Sequence, residues 1–230
     1  MNLNLVSRKL VPLGLLTAFA LICYVSQRGK AVTVDEFCHF PPGIYNLATL
    51  DWRMNRETPP LIKCLPSLTA LITKPHIETK AMEVDPNAWS FGYSFMSRNF
   101  GEYQQIFSYG RCIVILLGCI GGWILYRFGT EIYGYRGGLF SLFLYVLNPN
   151  IIAHSRLTTI DAGATCMFLL SLLLLLEIPQ AYGWDFRSII AGIALGYGTV
   201  EQIYSIIIIP NFYNFLQHIV VISFFFLHIC

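Results

Sequence analysis

Two carboxylates and an imidazole lie close together near the start of the chain, in the run Val34-Asp35-Glu36-Phe37-Cys38-His39. On a helix, Asp35 and His39 would share one side, because positions four apart fall about one turn apart. Such a group could bind a divalent metal or supply a general base. A charged helix start at a membrane surface, with acids favoured by the helix dipole, explains the same residues. The spacing by itself favours this plainer interpretation.

A second group surrounds a Pro-Pro step, in the run Asn55-Arg56-Glu57-Thr58-Pro59-Pro60-Leu61-Ile62-Lys63. The proline pair stiffens the backbone and predicts a helix start at Leu61, so Glu57 is presented by a rigid entry. A carboxylate fixed near the Lys63 ammonium would suit an anionic substrate such as a lipid phosphate. A proline-capped helix at the membrane interface, with a lysine that extends its charge to water, accounts for the run equally well.

The third group follows Asn148-Pro149-Asn150 and consists of His154, Arg156 and Asp161. Asp161 stands where an apolar run begins, and ionisable residues at such a depth are costly and often functional. Arg156 and Asp161 could also simply pair with each other. A functional interpretation is favoured because the predicted topology brings these residues to the same face as the other acids.

The composition indicates the elements that must carry these groups. Hydrophobic residues make up 55% of the 230 positions and charged residues 12%, whereas a soluble domain has about 25% charged residues. Mean hydropathy is +0.58. These values exclude a disordered tail, a nucleic-acid binder and a secreted disulfide scaffold, and they indicate a lipid bilayer. The 7 cysteines are odd in number and form no CxxC pair, which predicts free thiols.

The apolar runs predict an all-α, polytopic membrane protein with a single membrane domain. A spanning helix needs about 20 apolar residues, and the predicted spans are 10–26, 111–128, 138–153, 162–178 and 189–209, with a weaker sixth at 212–229. Residues 27–110 form a long folded loop that contains amphipathic juxtamembrane helices. The piece Leu61–Thr73 is one of them, because it is apolar but short and contains Lys63 and Pro66.

The distribution of basic residues predicts the orientation of these spans. With the N-terminus in the cytoplasm, the short cytoplasmic segments hold the residues that the positive-inside rule prefers there, namely Arg8, Lys9, Arg127, Arg136 and Arg187. The loop 27–110 and the link 154–161 then lie outside. All three polar groups therefore share one extracytoplasmic face.

These segments, in this order, resemble the GT-C glycosyltransferases, and within them the protein O-mannosyltransferase and aminoarabinose-transferase group. The resemblance rests on Asp35-Glu36-x-x-His39, on Asn55 to Lys63, and on Ala153-His154-Ser155-Arg156 up to Thr159-Ile160-Asp161. The run Tyr133-Gly134-Tyr135-Arg136-Gly137-Gly138 lies between them. The resemblance extends over about residues 31–178 and implies a partial GT-C fold.

The resemblance implies an inverting membrane enzyme that transfers a mannose-like sugar from a polyprenyl-phosphate donor to a protein, lipid or glycan acceptor. Asp35 would be the catalytic base. The other implied catalytic residues are Glu36, which would line the site or bind a metal, and Asp161, which resembles the second acidic position of the family. The implied substrate-binding residues are His39, Glu57, Lys63, His154 and Arg156. Lys63 and Arg156 would meet the donor phosphate. Glu57 is also the candidate ligand of a divalent metal, and no other cofactor is expected.

Members of this group are longer and have further spans, so we expect this chain to be an N-terminal part of such an enzyme. A bacterial inner membrane is favoured over the endoplasmic reticulum. Two other functions fit the composition: a small transporter component, and an inactive remnant or partner subunit. A transporter predicts ionisable residues within spans of both halves. Here the charge concentrates on one outer face instead, which favours the enzyme.

Overall fold

The computed structural model describes residues 3–177, apart from residues 57, 59 and 86. This part of the chain is helical and contains no strand, which confirms the predicted all-α class for the described residues. The predicted spans at 189–209 and 212–229 lie outside them. In chain order the helices are α1 (Leu3–Gln27), α2 (Val34–Thr49), α3 (Pro60–Ser67), α4 (Ala70–Thr73), α5 (Ala81–Val84), α6 (Ala88–Arg98), α7 (Tyr103–Leu147), α8 (Pro149–Ser155) and α9 (Asp161–Glu177).

Two of these helices are long and apolar enough to cross a membrane. They are Lys9–Gln27 within α1, with 19 residues, and the 45-residue α7. A third apolar helix, Asp161–Leu174 within α9, is shorter. Length and composition therefore support a membrane protein in the described part, whereas the total of five to six spans stays a prediction.

Helix α7 is a helical hairpin, because the chain reverses at Gly134. The backbone there has φ 72° and ψ 179°, a left-handed value that glycine adopts without a steric penalty. The two arms pack side by side: the Tyr145 hydroxyl donates to the Gly118 carbonyl at 2.8 Å, and Gly129 lies against Gly138. The polar link that the sequence predicts at 128–137 is thus a one-residue turn between helices.

Four hydrophobic clusters hold the described part together, and two of them are the largest. Between α1 and the arms of α7 lies an apolar core around Phe19, Leu142 and Tyr145. The segment between α1 and α7 packs with the first turn of α7 around another core, built largely from aromatic side chains: Phe37, Phe40, Ile44, Phe95, Ile106 and Phe107. The segment 28–102 is therefore a folded helical cap rather than an extended linker.

Glycines let α2 approach its neighbours closely. A Cβ on Gly43 would lie 2.4 Å from the Lys63 carbonyl oxygen of α3, and one on Gly92 would lie 2.1 Å from the Phe37 carbonyl oxygen. These distances are far below any van der Waals contact, so only hydrogen fits at either position. As a result α2 lies wedged between α3 and α6, and its first turns are fixed on both sides.

Candidate active site

Helix α2 presents Asp35 and His39 on one face. The helix begins after Thr33, whose backbone N–H donates to the Glu36 carboxylate at 2.9 Å, as in a capping box. Asp35 is exposed and His39 is half-buried, and both line the same cavity. The one-turn spacing predicted for this pair therefore brings a carboxylate and an imidazole to one surface.

The cavity is an open cleft of about 520 Å³, within the usual range for small-molecule sites. It lies between the start of α2, the 53–58 loop and the start of α6. Its walls are mostly polar and consist of Asp35, Cys38, His39, Arg53, Asn55, Arg56, Thr58, Asn87, Ala88 and Trp89. A cleft of this size and polarity can hold a sugar ring together with a phosphate.

His39 is held by Asn55, whose side-chain amide nitrogen lies 2.6 Å from the Cys38 carbonyl oxygen and 3.2 Å from His39 Nδ1. A carbonyl oxygen only accepts, so the nitrogen of the amide must face it, and Nδ1 must then accept as well. A neutral His39 consequently carries its proton on Nε2. Burial lowers the pKa of His39 below 6.5, although the charges of Asp35 and Asp161 raise it.

A proline makes this hydrogen bond available. Pro42 lies within α2 and has no N–H, so it cannot donate the i→i−4 hydrogen bond to the Cys38 carbonyl, four residues earlier. Asn55 takes that place. Its own backbone has φ 54°, a left-handed conformation that asparagine tolerates better than most residues. A break in the helix ladder thus becomes the anchor for the 53–58 loop.

Lys63 binds the backbone of the same loop from the protein interior. Its ammonium donates to the Met54 carbonyl at 3.3 Å and to the Asn55 carbonyl at 2.5 Å, and only 3% of the residue is exposed. Burial lowers the pKa of Lys63 to about 8. The structure therefore places Lys63 behind the cavity wall and not on its surface, where a donor phosphate would meet it.

Glu36, one residue after Asp35, is fully buried and points away from the cavity. Its carboxylate forms a two-pronged ion pair with Arg111, at 2.7 Å for each prong, and also accepts from Thr33 and Thr158. Burial raises the pKa of Glu36, but the hydrogen bond and charge of Arg111 outweigh it, so the net shift is downward. The carboxylate is therefore ionised and has no open side.

The third predicted group lies at the junction of α8 and α9. His154 Nδ1 and an Asp161 carboxylate oxygen are 3.0 Å apart, and both side chains are about half exposed. Asp161 therefore pairs with His154, whereas Arg156 donates to the Ser26 carbonyl of α1 at 3.3 Å. The charge of Asp161 acts on His39, so the structure brings this junction near the cavity.

Glu57, the predicted metal ligand, lies outside the described residues. Among the residues that the structure describes, no three His, Cys, Asp or Glu side chains form a group that could hold a metal ion. A divalent metal at Glu57 therefore stays a prediction.

The sequence did not single out the cations and the aromatic ring of the cavity. Arg53 is tied to Asp51 by hydrogen bonds of 2.6 to 3.1 Å, which lower the pKa of Asp51 to about 2. Arg56 lines the cavity with no ion pair among the described side chains. Trp89 stands at the start of α6, with its ring 5.4 Å from that of Phe37. Arg56 could have been found, since it directly precedes Glu57 in the predicted motif.

A known protein family matches the second half of the chain. Residues 104–223 match the family described as Dolichyl-phosphate-mannose-protein mannosyltransferase, and they amount to just over half of the 230 residues. No curated protein and no solved structure matches the chain. The family match begins in α7 and includes the His154–Asp161 junction, whereas the cavity residues of α2 and the 53–58 loop precede it.

Proposed function

The chain belongs to the dolichyl-phosphate-mannose-protein mannosyltransferase family, a group of membrane glycosyltransferases of the GT-C kind, and on this premise we propose that it transfers a mannose-like sugar from a polyprenyl-phosphate donor. The acceptor is a protein, lipid or glycan hydroxyl. The observation that carries the proposal is the exposed Asp35 carboxylate in a polar cavity beside the Arg53 and Arg56 guanidinium groups. Such a site combines a base with cations for a phosphate.

In the proposed reaction, Asp35 removes the proton of the acceptor hydroxyl while that oxygen attacks the anomeric carbon. The bond between this carbon and the phosphate oxygen breaks on the opposite side of the sugar, so the configuration inverts. Its electron pair leaves with the lipid phosphate, which gains negative charge. A base on the acceptor and cations near the leaving phosphate lower the barrier at both ends of the transfer.

The neighbouring polar groups bind and orient the substrates. Neutral His39 offers its Nε2–H to a substrate oxygen, because Nδ1 already accepts from Asn55. Arg56 contributes a cation to the donor phosphate, a role that buried Lys63 serves only indirectly by holding the Asn55 carbonyl. Asp161, oriented by His154, is the second carboxylate of the site and orients the acceptor. Arg156 supports this junction through its bond to Ser26.

The proposal includes the membrane setting. The site faces the extracytoplasmic side of a bacterial inner membrane, where polyprenyl-phosphate sugars present their head groups. A divalent metal at Glu57 would add positive charge near the same phosphate.

The direct test is sugar transfer from polyprenyl-phosphate sugars in membranes that contain the full chain. Replacement of the proposed base, Asp35→Asn, keeps the size of the side chain and removes its basicity, so we expect transfer to fall about 10²- to 10⁴-fold. Glu102→Gln is the matched control, because Glu102 is exposed at the start of α7 and its side chain caps nothing. Equal transfer by Asp35→Asn and the control would refute the role of Asp35. No transfer by the unchanged protein would favour an inactive remnant or partner subunit.

A further inference from the structure

Glu36 and Arg111 form an ion pair that is closed off from water. Glu36 is 0% exposed and Arg111 is 1% exposed. The guanidinium donates from Nε to one carboxylate oxygen and from a terminal nitrogen to the other, each at 2.7 Å. Arg111 also donates to the carbonyls of Lys30 and Ala31 at 3.1 Å. The pair therefore connects α7 to the chain segment that enters α2.

The carboxylate of Glu36 has no capacity left for a substrate. Its Oε1 accepts from Thr158 N at 3.0 Å and from Thr158 Oγ1 at 3.2 Å, in addition to Arg111. Its Oε2 accepts from Thr33 N at 2.9 Å and from Thr33 Oγ1 at 3.1 Å. A carboxylate offers about four lone-pair sites in total, so these six contacts saturate it. Glu36 acts in this geometry as a junction between segments.

The segments that meet at Glu36 carry the two exposed carboxylates of the site. Thr33 starts the helix that presents Asp35 and His39, and Thr158 precedes Asp161 by three residues. We propose that Glu36 and Arg111 are positioning residues that fix the separation between Asp35 and Asp161. The proposal rests on the proposed function, since it assigns these two carboxylates to one reaction.

The physical chemistry of the pair favours positioning over stabilisation. Desolvation of two buried charges offsets most of their attraction, so a buried ion pair adds little stability compared with well-packed apolar side chains. A planar guanidinium fork on a carboxylate does, however, fix both distance and angle. Gly110 lets the helix approach closely enough, because a Cβ there would lie 2.7 Å from the Phe40 ring and 2.9 Å from the Thr158 methyl group.

Two variants separate positioning from folding. Arg111→Lys keeps the charge but loses the fork. The double change Glu36→Gln with Arg111→Met removes both charges, so no unpaired charge is left in the interior. Glutamine has a single carboxamide oxygen, which can accept from Thr33 or from Thr158 but not from both. Glu131→Gln is the matched control, because it breaks the exposed Arg127–Glu131 ion pair on the same helix.

Two measurements are made on the full chain in membranes or detergent. Hydrogen exchange followed by mass spectrometry reports whether peptides that contain residues 30–36 and 156–160 stay protected. We expect faster exchange in at least one of them for the double variant, with the remainder of α7 unchanged. For transfer, we expect kcat to fall about 100-fold with KM little changed, because a shift of about 1 Å in a reacting group has an effect of that size. Arg111→Lys should fall between the double variant and the control.

The outcomes separate this inference from the proposed function. Unchanged exchange in the double variant would overturn the junction itself, whatever the activity. Faster exchange with kcat equal to that of Glu131→Gln would overturn the positioning role. A fall in kcat/KM that comes only from a higher KM would also overturn the positioning role, since it would mean weaker substrate binding instead of misplaced carboxylates. Absence of transfer by the unchanged protein, with exchange altered as expected, would overturn the proposed function and leave the junction supported.

Discussion

At the scale of single residues, the protonation of His39 depends on one amide. Asn55 donates to Nδ1, and an imidazolium would place a second N–H against that donor. Burial and this donor both favour the neutral ring, in line with the lowered pKa of His39. Because the unfolded chain would have the ordinary pKa of 6.5, the folded state binds fewer protons near that pH, and His39 reduces stability as pH falls through 6.5.

The pH dependence of transfer should therefore respond to Asn55→Asp. A carboxylate beside Nδ1 accepts a hydrogen bond from the ring N–H and stabilises the imidazolium, so the pKa of His39 should rise. If neutral His39 is the active form, the acid limb of the kcat profile moves to higher pH by the same amount. The measurement is sugar transfer between pH 5 and 9. A limb that stays in place in a folded variant would mean that His39 does not titrate in the reaction.

At the scale of elements, α2 is shaped by residues that a helix normally avoids. Pro41 and Pro42 lie within it and remove two N–H groups from its ladder. The Cys38 carbonyl accepts from the Asn55 side chain, and the Phe37 carbonyl lies against Gly92 of α6. The two prolines of α2 thus favour its contacts with the 53–58 loop and with α6, which form two walls of the cavity.

Gly92→Ala should consequently separate α6 from α2. A methyl group 2.1 Å from the Phe37 carbonyl oxygen cannot be accommodated without a backbone shift, and overpacking of this kind costs about 1–3 kcal/mol. We expect a lower thermal unfolding temperature in detergent and weaker transfer, since α6 forms one wall of the cavity. Gly14→Ala is the control, because nothing lies within 4 Å of its Cβ position. Equal unfolding temperatures for the two variants would contradict this account of the contact.

At the scale of the whole molecule, the distribution of polar and apolar surface indicates where lipid lies. In the segment 61–73, the polar residues Lys63, Ser67 and Thr69 are buried, whereas the apolar residues Leu71 and Ile72 are 77% and 73% exposed. This arrangement is unfavourable in water and natural beside a bilayer. It supports the predicted position of Leu61–Thr73 at the membrane surface, next to the cap that holds the cavity.

The orientation of the molecule can be tested by labelling introduced cysteines. Lys80 lies in the cap and Arg136 follows the turn of α7, and both are exposed. With the N-terminus in the cytoplasm, a membrane-impermeant maleimide applied to intact cells should label Lys80→Cys and spare Arg136→Cys, while permeabilised cells should show both. The unchanged chain measures background labelling of the native cysteines. Labelling of Arg136→Cys alone in intact cells would invert the proposed topology and move the site to the cytoplasm.

The class of the molecule and the identity of its polar groups follow from the amino-acid sequence. Long apolar runs and missing charge require helices in lipid, since backbone polar groups must be satisfied within the helix there. Local spacing was also sufficient for Asp35 and His39, because one helical turn fixes their common face.

The role of each charged residue follows from the folded structure, because burial and partners depend on segments far apart in the chain. Glu36 meets Arg111 and Thr158, which lie 75 and 122 residues away, and so it is closed to substrate although its neighbour Asp35 is open. Lys63 is turned inward in the same way, whereas Arg56, three residues before Pro59, faces the cavity. The sequence alone does not show whether an acidic or basic residue contacts the substrate or holds neighbouring segments in place. Only the packing of α2 between α3, α6 and α7 separates the two roles.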